Sequence, residues 1–196
     1  MAPTTVAFYL ALPLILVLGS ASATGQASPS ATRTFDASGH GKSHGARLTV
    51  AYPAGLTARE SARQRVVQSF IGNSDGVDLA LSLSIEAGDE DVEAYCAPDT
   101  VDHWRKVFQP LNLDGLEVRI VRWKNRHAVL LTGAQVMKLD DLQIHSRLRL
   151  LSVCHKRYRV SLSCSASGIS AAKAKFAMQR ATPVCERFYD SLSFKA

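Results

Sequence analysis

The sequence predicts an α+β domain: a central antiparallel β-sheet flanked by helices. Three observations predict it. Apolar residues recur with period two over most of the chain after Ala46. Two segments break that rhythm with helical spacing. The order along the chain is strands, helix, strand meander, helix, and short turns between strands favour antiparallel pairing.

Taken in order, Arg33–Ala37 is a short strand candidate. Leu48, Val50 and Tyr52 alternate with Arg47, Thr49 and Ala51, and Pro53 stops the run. Arg65–Ile71 is the next candidate. Val77, Leu79, Leu81, Leu83 and Ile85 alternate with small or polar residues, the cleanest strand in the chain. Gly72–Gly76 supplies the turn before it, and Gly88–Asp91 the turn after it. Asp99 or Thr100 can cap a helix whose residues Val101, Trp104, Val107 and Phe108 share one face, and Pro110 ends it. In Leu116–Trp123 the apolar residues change parity between 120 and 121, which predicts a bulge. Asn125 marks a turn, Ala128–Leu131 a short apolar run, and Gly133 a bend. Leu142–Leu150 and Tyr158–Cys164 alternate and form a hairpin around His155-Lys156-Arg157, with residues 154 and 158 facing each other. Ser170 caps an Ala-rich helix to about Ala181. Pro183 opens a further helical turn carrying Val184, Cys185, Phe188 and Tyr189.

Residues 1–23 address the chain rather than build the fold. Phe8–Leu18 is an apolar core too short to span a bilayer, which needs ~20 apolar residues. Ala21-x-Ala23 has the small residues of a cleavage site, although no Lys or Arg precedes the core. We read 1–23 as a cleaved signal peptide, 24–45 as a flexible Ser/Gly-rich leader and 46–196 as a single domain. The product is periplasmic or secreted, with no transmembrane segment after cleavage. Gly41-Lys42-Ser43 lacks the earlier glycine of a phosphate-binding loop, since Asp36 stands there.

All four cysteines follow the signal segment, as expected of two disulfides in an exported chain, and their spacing is not that of a zinc site. The hairpin keeps Cys154 and Cys164 too far apart to bond. We favour Cys164–Cys185 with Cys96–Cys154; Cys96–Cys164 with Cys154–Cys185 stays open.

Charge is unevenly placed in a chain of net +6. Residues 75–93 hold seven acids and no base, whereas residues 116–160 hold ten bases against three acids. The basic stretch is either a solvated strand face that uses arginine or a surface for an anionic partner. Its candidate binding residues are Arg119, Arg147, Arg149, Lys156, Arg157 and Arg159.

Leu48–Leu56 (Leu-Thr-Val-Ala-Tyr-Pro-Ala-Gly-Leu), Tyr158–Ala166 and the closing Cys185–Phe194 give the chain a layout that resembles the PsbP-like superfamily. That superfamily includes an extrinsic photosystem II protein and bacterial periplasmic DcrB-type proteins. The resemblance covers about residues 46–196 and implies an α/β/α sandwich. It implies no activity, because fold does not fix function.

No GxSxG elbow is present. The Asp140-Asp141 pair reads as a turn and not as a catalytic pair, and adjacent carboxylates in a strand point to opposite faces and rarely share a proton. A free cysteine nucleophile does not suit an oxidising compartment. Trp123 and Tyr158 lie among basic residues, but export removes nucleic acid from reach. The expected function is therefore non-enzymatic and cofactor-free. The chain would bind an acidic protein or an anionic envelope component through a basic sheet face, as an immunity- or chaperone-like accessory protein does. The alternative class is a secreted hydrolase with a site assembled from distant residues.

Overall fold

A computed structural model describes residues 31–88, 101–139 and 141–195. The elements are β1 (Thr32–Asp36), β2 (Leu48–Pro53), β3 (Leu56–Arg59), β4 (Val66–Ser74), β5 (Val77–Ala87), α1 (Val101–Phe108), β6 (Asp114–Trp123), β7 (Arg126–Leu139), β8 (Leu142–His155), β9 (Tyr158–Gly168), α2 (Ala171–Asp190) and β10 (Ser193–Phe194), with single 3-10 turns at Gly41–Ser43 and Gln109–Leu111. Seven strands form one antiparallel sheet in the order β3-β4-β5-β9-β8-β7-β6, and β1-β2-β10 form a second.

This corrects the expected helix-flanked α+β sandwich. The fold is mostly β, with 56% of the described residues in strands. Three physical reasons account for the difference. The apolar run Ala128–Leu131 is only the middle of β7, a strand of 14 residues. Among the described residues α1 is eight residues long and covers one end of its face. The layer beside α2 on the other face is the small sheet, built in part from Thr32–Asp36 within the segment read as leader.

The two faces of the large sheet carry separate cores. Val77, Leu79, Leu81, Leu83 and Ile85 of β5 join Val160, Leu162 and Cys164 of β9 beneath α2 and the small sheet. Phe70 knits these layers together: its ring lies 4.1 Å from Tyr52, 5.8 Å from Phe35 and 6.0 Å from Phe188. On the opposite face Trp104, Phe108 and Leu111 pack on Val118, Val129, Leu131, Leu148 and Leu150. Burial on both faces explains the parity change in β6 without a bulge there. Val118 faces the α1 side, and Val121 and Trp123 face the α2 side. The register shift falls instead between Asp114 and Glu117. Gly133 admits the close approach of Leu113, whose Cβ would lie 2.8 Å from a side-chain carbon placed there.

Ser170 caps α2 by accepting from the Lys173 amide at 3.2 Å. The helix does not break before Pro183. It runs as one element through it, and the Thr182 hydroxyl donates to the Met178 carbonyl at 2.9 Å. The β8–β9 register is displaced by one residue from expectation: His155 faces Tyr158 and Leu151 faces Leu162, with Lys156-Arg157 as a two-residue turn. Lys156 takes a positive φ of 53° there. Cys154 then lies opposite Arg159 and Cys164 opposite Arg149, on different faces of the sheet. Cys164 bonds Cys185, fastening β9 to α2 at a Cα separation of 5.7 Å. Cys154 is also disulfide-bonded. Cys96, the Asp99/Thr100 cap, Asp140 and residues 1–30 lie outside the described residues.

Candidate anion-binding site

The six basic residues singled out by charge do not share one face. Arg147 and Arg149 pair with Ala166 and Cys164 and therefore point to the α2 side, as does exposed Arg119, which pairs with Leu130. Arg149 is held by Glu186 at 3.6 Å. Arg159 points to the opposite face, where its side chain is 7% exposed and closes on Glu86, which also takes Arg65 at 3.4 Å. Strand alternation sends alternate residues to opposite faces, and both faces of this sheet carry arginine. Of the six, Lys156 and Arg157 lie in the hairpin turn, between the strands rather than in them.

Those two residues line a concavity of about 360 Å³ with Gly45, Ala46, Arg47, His155, Tyr158, Phe194 and Lys195. Three segments distant in sequence build it: the approach to β2, the β8–β9 turn and the residues around β10. β10 brings them together by pairing Phe194 with Leu48, and the Lys195 amide donates to the Arg47 carbonyl at 2.8 Å. Arg157 lies over the Tyr158 ring at 5.2 Å and donates to its hydroxyl oxygen at 3.2 Å and to the His44 carbonyl at 3.3 Å. These contacts fix a guanidinium that would otherwise be a loose turn side chain. His155 packs 4.2 Å from Phe194. Its Nδ1 lies 2.7 Å from Arg126 Nη1 and, since arginine can only donate, accepts that hydrogen bond.

Among the described residues, Arg47, Lys156, Arg157 and Lys195 line the pocket and no carboxylate does. Asp36 reaches Lys195 from outside. Hydrogen bonds from Lys195 and Ser38 hold the Asp36 carboxyl well below the usual carboxylate range. Lysine and arginine donors around an open concavity, between two aromatic rings, suit an anionic group carried on a larger body. The volume is at the lower end of small-ligand sites, which run ~300–1,000 Å³.

The remaining features that invite a chemical reading are structural. Lys42 donates to the carbonyls of Ser61, Arg63 (3.0 Å) and Val66 (3.5 Å), so Gly41-Lys42-Ser43 is a staple and not a phosphate loop. A row of serines crosses the face opposite α2. Ser82 pairs with Ser163 at 2.6 Å, Ser146 with Ser167 at 2.7 Å and Ser152 with Ser161 at 3.1 Å. The cleft beside Ser82 and Ser163 is about 40 Å³ and is lined, among the described residues, by no histidine or carboxylate. That is room for roughly one water. Among the described residues no three His, Cys, Asp or Glu side chains are grouped to hold a metal ion, and no helix is long and apolar enough to cross a membrane.

No family model and no curated protein matches the chain. Solved structures similar to it include a protein from Bacteroides thetaiotaomicron at 11% identity and TM-score 0.46, covering 76% of this chain and 45% of that one. Another is LpqN, involved in cell envelope biogenesis of Mycobacterium tuberculosis, at 12% identity and TM-score 0.44, covering 84% of this chain and 92% of LpqN. The chain thus spans less than half the length of the Bacteroides protein. Both neighbours are bacterial and one is tied to the envelope, and neither makes the chain PsbP-like.

Proposed function

We propose that the chain is an exported, non-enzymatic binding or accessory protein, periplasmic or secreted, that captures an anionic partner in the pocket at the β8–β9 turn. The observation that carries this reading is the set of four cations, Arg47, Lys156, Arg157 and Lys195, gathered in one concavity that no acid among the described residues lines. The Cys164–Cys185 bond supports an oxidising compartment. The partner is an acidic protein segment or an anionic component of the envelope. The seat is the turn and the approach to β2, rather than a flat sheet face spanning Arg119 to Arg159. The serine-lined cleft offers no base for a hydroxyl nucleophile, so no observation favours the hydrolase reading.

The test is calorimetric titration of the processed protein with a polyglutamate peptide at low and physiological salt. Binding weakens as salt rises, and K156E/R157E weakens it by about tenfold or more at unchanged Tm. Unchanged affinity in K156E/R157E sinks the assignment of the pocket. Crosslinking of the same protein to its envelope extract then identifies the natural anion.

A further inference from the structure

We infer that the first half of α2 is a docking surface for an anionic lipid bilayer. Ile169 and Phe176 are the two most exposed large apolar side chains among the described residues, at 64% and 61%. The core-facing side of α2 is already filled by Ala174, Met178, Ala181, Val184 and Cys185, so neither Phe176 on the helix nor Ile169 just before its cap is needed to hold the helix down. Lys173, Lys175 and Arg180 surround the pair, and no acid occurs from Gly168 to Cys185. Phe176 and Arg180 are one turn apart, with the guanidinium 6.0 Å over the ring.

Two features favour a lipid surface over a protein. The apolar groups are prongs separated by cations, not a continuous patch. A protein interface is centred on a contiguous, dehydrated core, whereas a headgroup layer accepts isolated prongs while its phosphates meet the cations. Lys173 also sits in the first turn of α2, where the helix dipole disfavours a cation. A negatively charged surface offsets that cost.

The placement is also functional. β9 runs eleven residues from Tyr158 at the pocket to Gly168 beside α2, and its ten residue-to-residue steps span about 33 Å at ~3.3 Å each. Docking through Ile169 and Phe176 therefore turns the anion pocket away from the membrane.

The experiment is co-sedimentation of the processed protein, its N-terminus read by mass spectrometry, with vesicles of phosphatidylcholine alone or with about 30 mol % phosphatidylglycerol. The wild type partitions onto the anionic vesicles and not onto the neutral ones. I169S/F176S reduces partition at least about tenfold. K173A/K175A reduces it by roughly fivefold for each cation removed. Both variants keep the wild-type Tm, since all four side chains are exposed. K156E/R157E, at the other end of the sheet, partitions as the wild type does. Three results overturn the inference: no partition by the wild type, equal partition by I169S/F176S, or loss in K156E/R157E alone, which moves the lipid contact to the pocket. Crosslinking of the α2 lysines to an acidic protein without vesicle binding overturns it as well. None of these outcomes bears on polyglutamate titration of the pocket, so the two proposals fail separately.

Discussion

Replacing Arg159 tests the division of the arginines between structure and function. Alternation along the chain treats Arg157 and Arg159 as equivalent outward residues, but the fold does not. Arg159 is 7% exposed and closes on Glu86, itself 27% exposed and reached by Arg65 at 3.4 Å. Removing one partner of a buried pair costs ~3–5 kcal/mol, because the other charge is left without compensation. Here Arg65 and the residual exposure of Glu86 soften the loss, so Arg159→Ala should cost about 3 kcal/mol. A domain of this size loses ~2–4 °C of Tm per kcal/mol, which predicts a fall of about 6–12 °C. Arg157→Ala removes an exposed turn side chain and should stay within about 0.5 kcal/mol of wild type. The assay is urea unfolding followed by the fluorescence of Trp104 and Trp123, both buried in the described core. R159M/E86Q should recover at least half the loss by replacing the ion pair with a neutral one of similar volume. A cost below about 1 kcal/mol for Arg159→Ala, or an equal cost for Arg157→Ala, refutes the reasoning. It would also return Arg159 to the list of candidate binding residues.

Two further outcomes follow from the α2 side of the sheet. C164A/C185A opens a link across a sequence separation of 21 residues, and chain entropy over such a loop predicts a loss of about 3 kcal/mol in the same urea assay; a loss under about 1 kcal/mol would show that packing alone holds α2 on β9. Burial raises the Tyr189 phenol far above its ordinary value, while its hydroxyl donates to the Arg149 carbonyl at 2.8 Å. A folded-state value above the unfolded one gives stability that is complete below about pH 10 and drains as pH rises beyond it. In an alkaline absorbance titration one phenol should therefore ionise only together with unfolding, and Tyr189→Phe should remove that phase. Ionisation of Tyr189 before unfolding would contradict its packing.

Much of the large sheet was legible because its alternation is strict. Val77 to Ile85 alternates without interruption, and β5 is the strand predicted there, extended to Ala87. The turn expected over Gly72–Gly76 was legible from its glycines, and the structure narrows it to Asp75 and Gly76, both at positive φ as a tight hairpin turn requires. Ser170 was legible as a cap because its side chain precedes an apolar helical stripe. The failures share a cause. A segment covered on both faces loses its alternation, so β6 looked bulged and β7 looked short. Pro183 looked like a helix boundary because local rules say that it breaks hydrogen bonding; burial of Val184, Cys185, Phe188 and Tyr189 on the same side as Met178 holds the helix together across it. The small sheet was missed as a layer because β10 is two residues long, below any periodic signal.

The pocket shows why charge counting found the region but not the site. A run of ten bases over residues 116–160 says only that the chain is basic there; a strand then divides its residues between two faces, and this one consigned Arg159 to an internal ion pair and Arg149 to Glu186. What survives as the proposed site lies where alternation stops, at the two-residue turn whose side chains belong to neither face. Arg47 and Lys195 complete it from segments that carry no signal of their own. They meet only because β10 pairs with the start of β2 while α2 returns the chain along β9 to the hairpin end. That same return leaves Ile169 and Phe176 at the far end of the sheet. The proposed pocket and the proposed prongs thus lie toward opposite ends of β9, a strand about 33 Å long, so the two proposed contacts are separable by mutation.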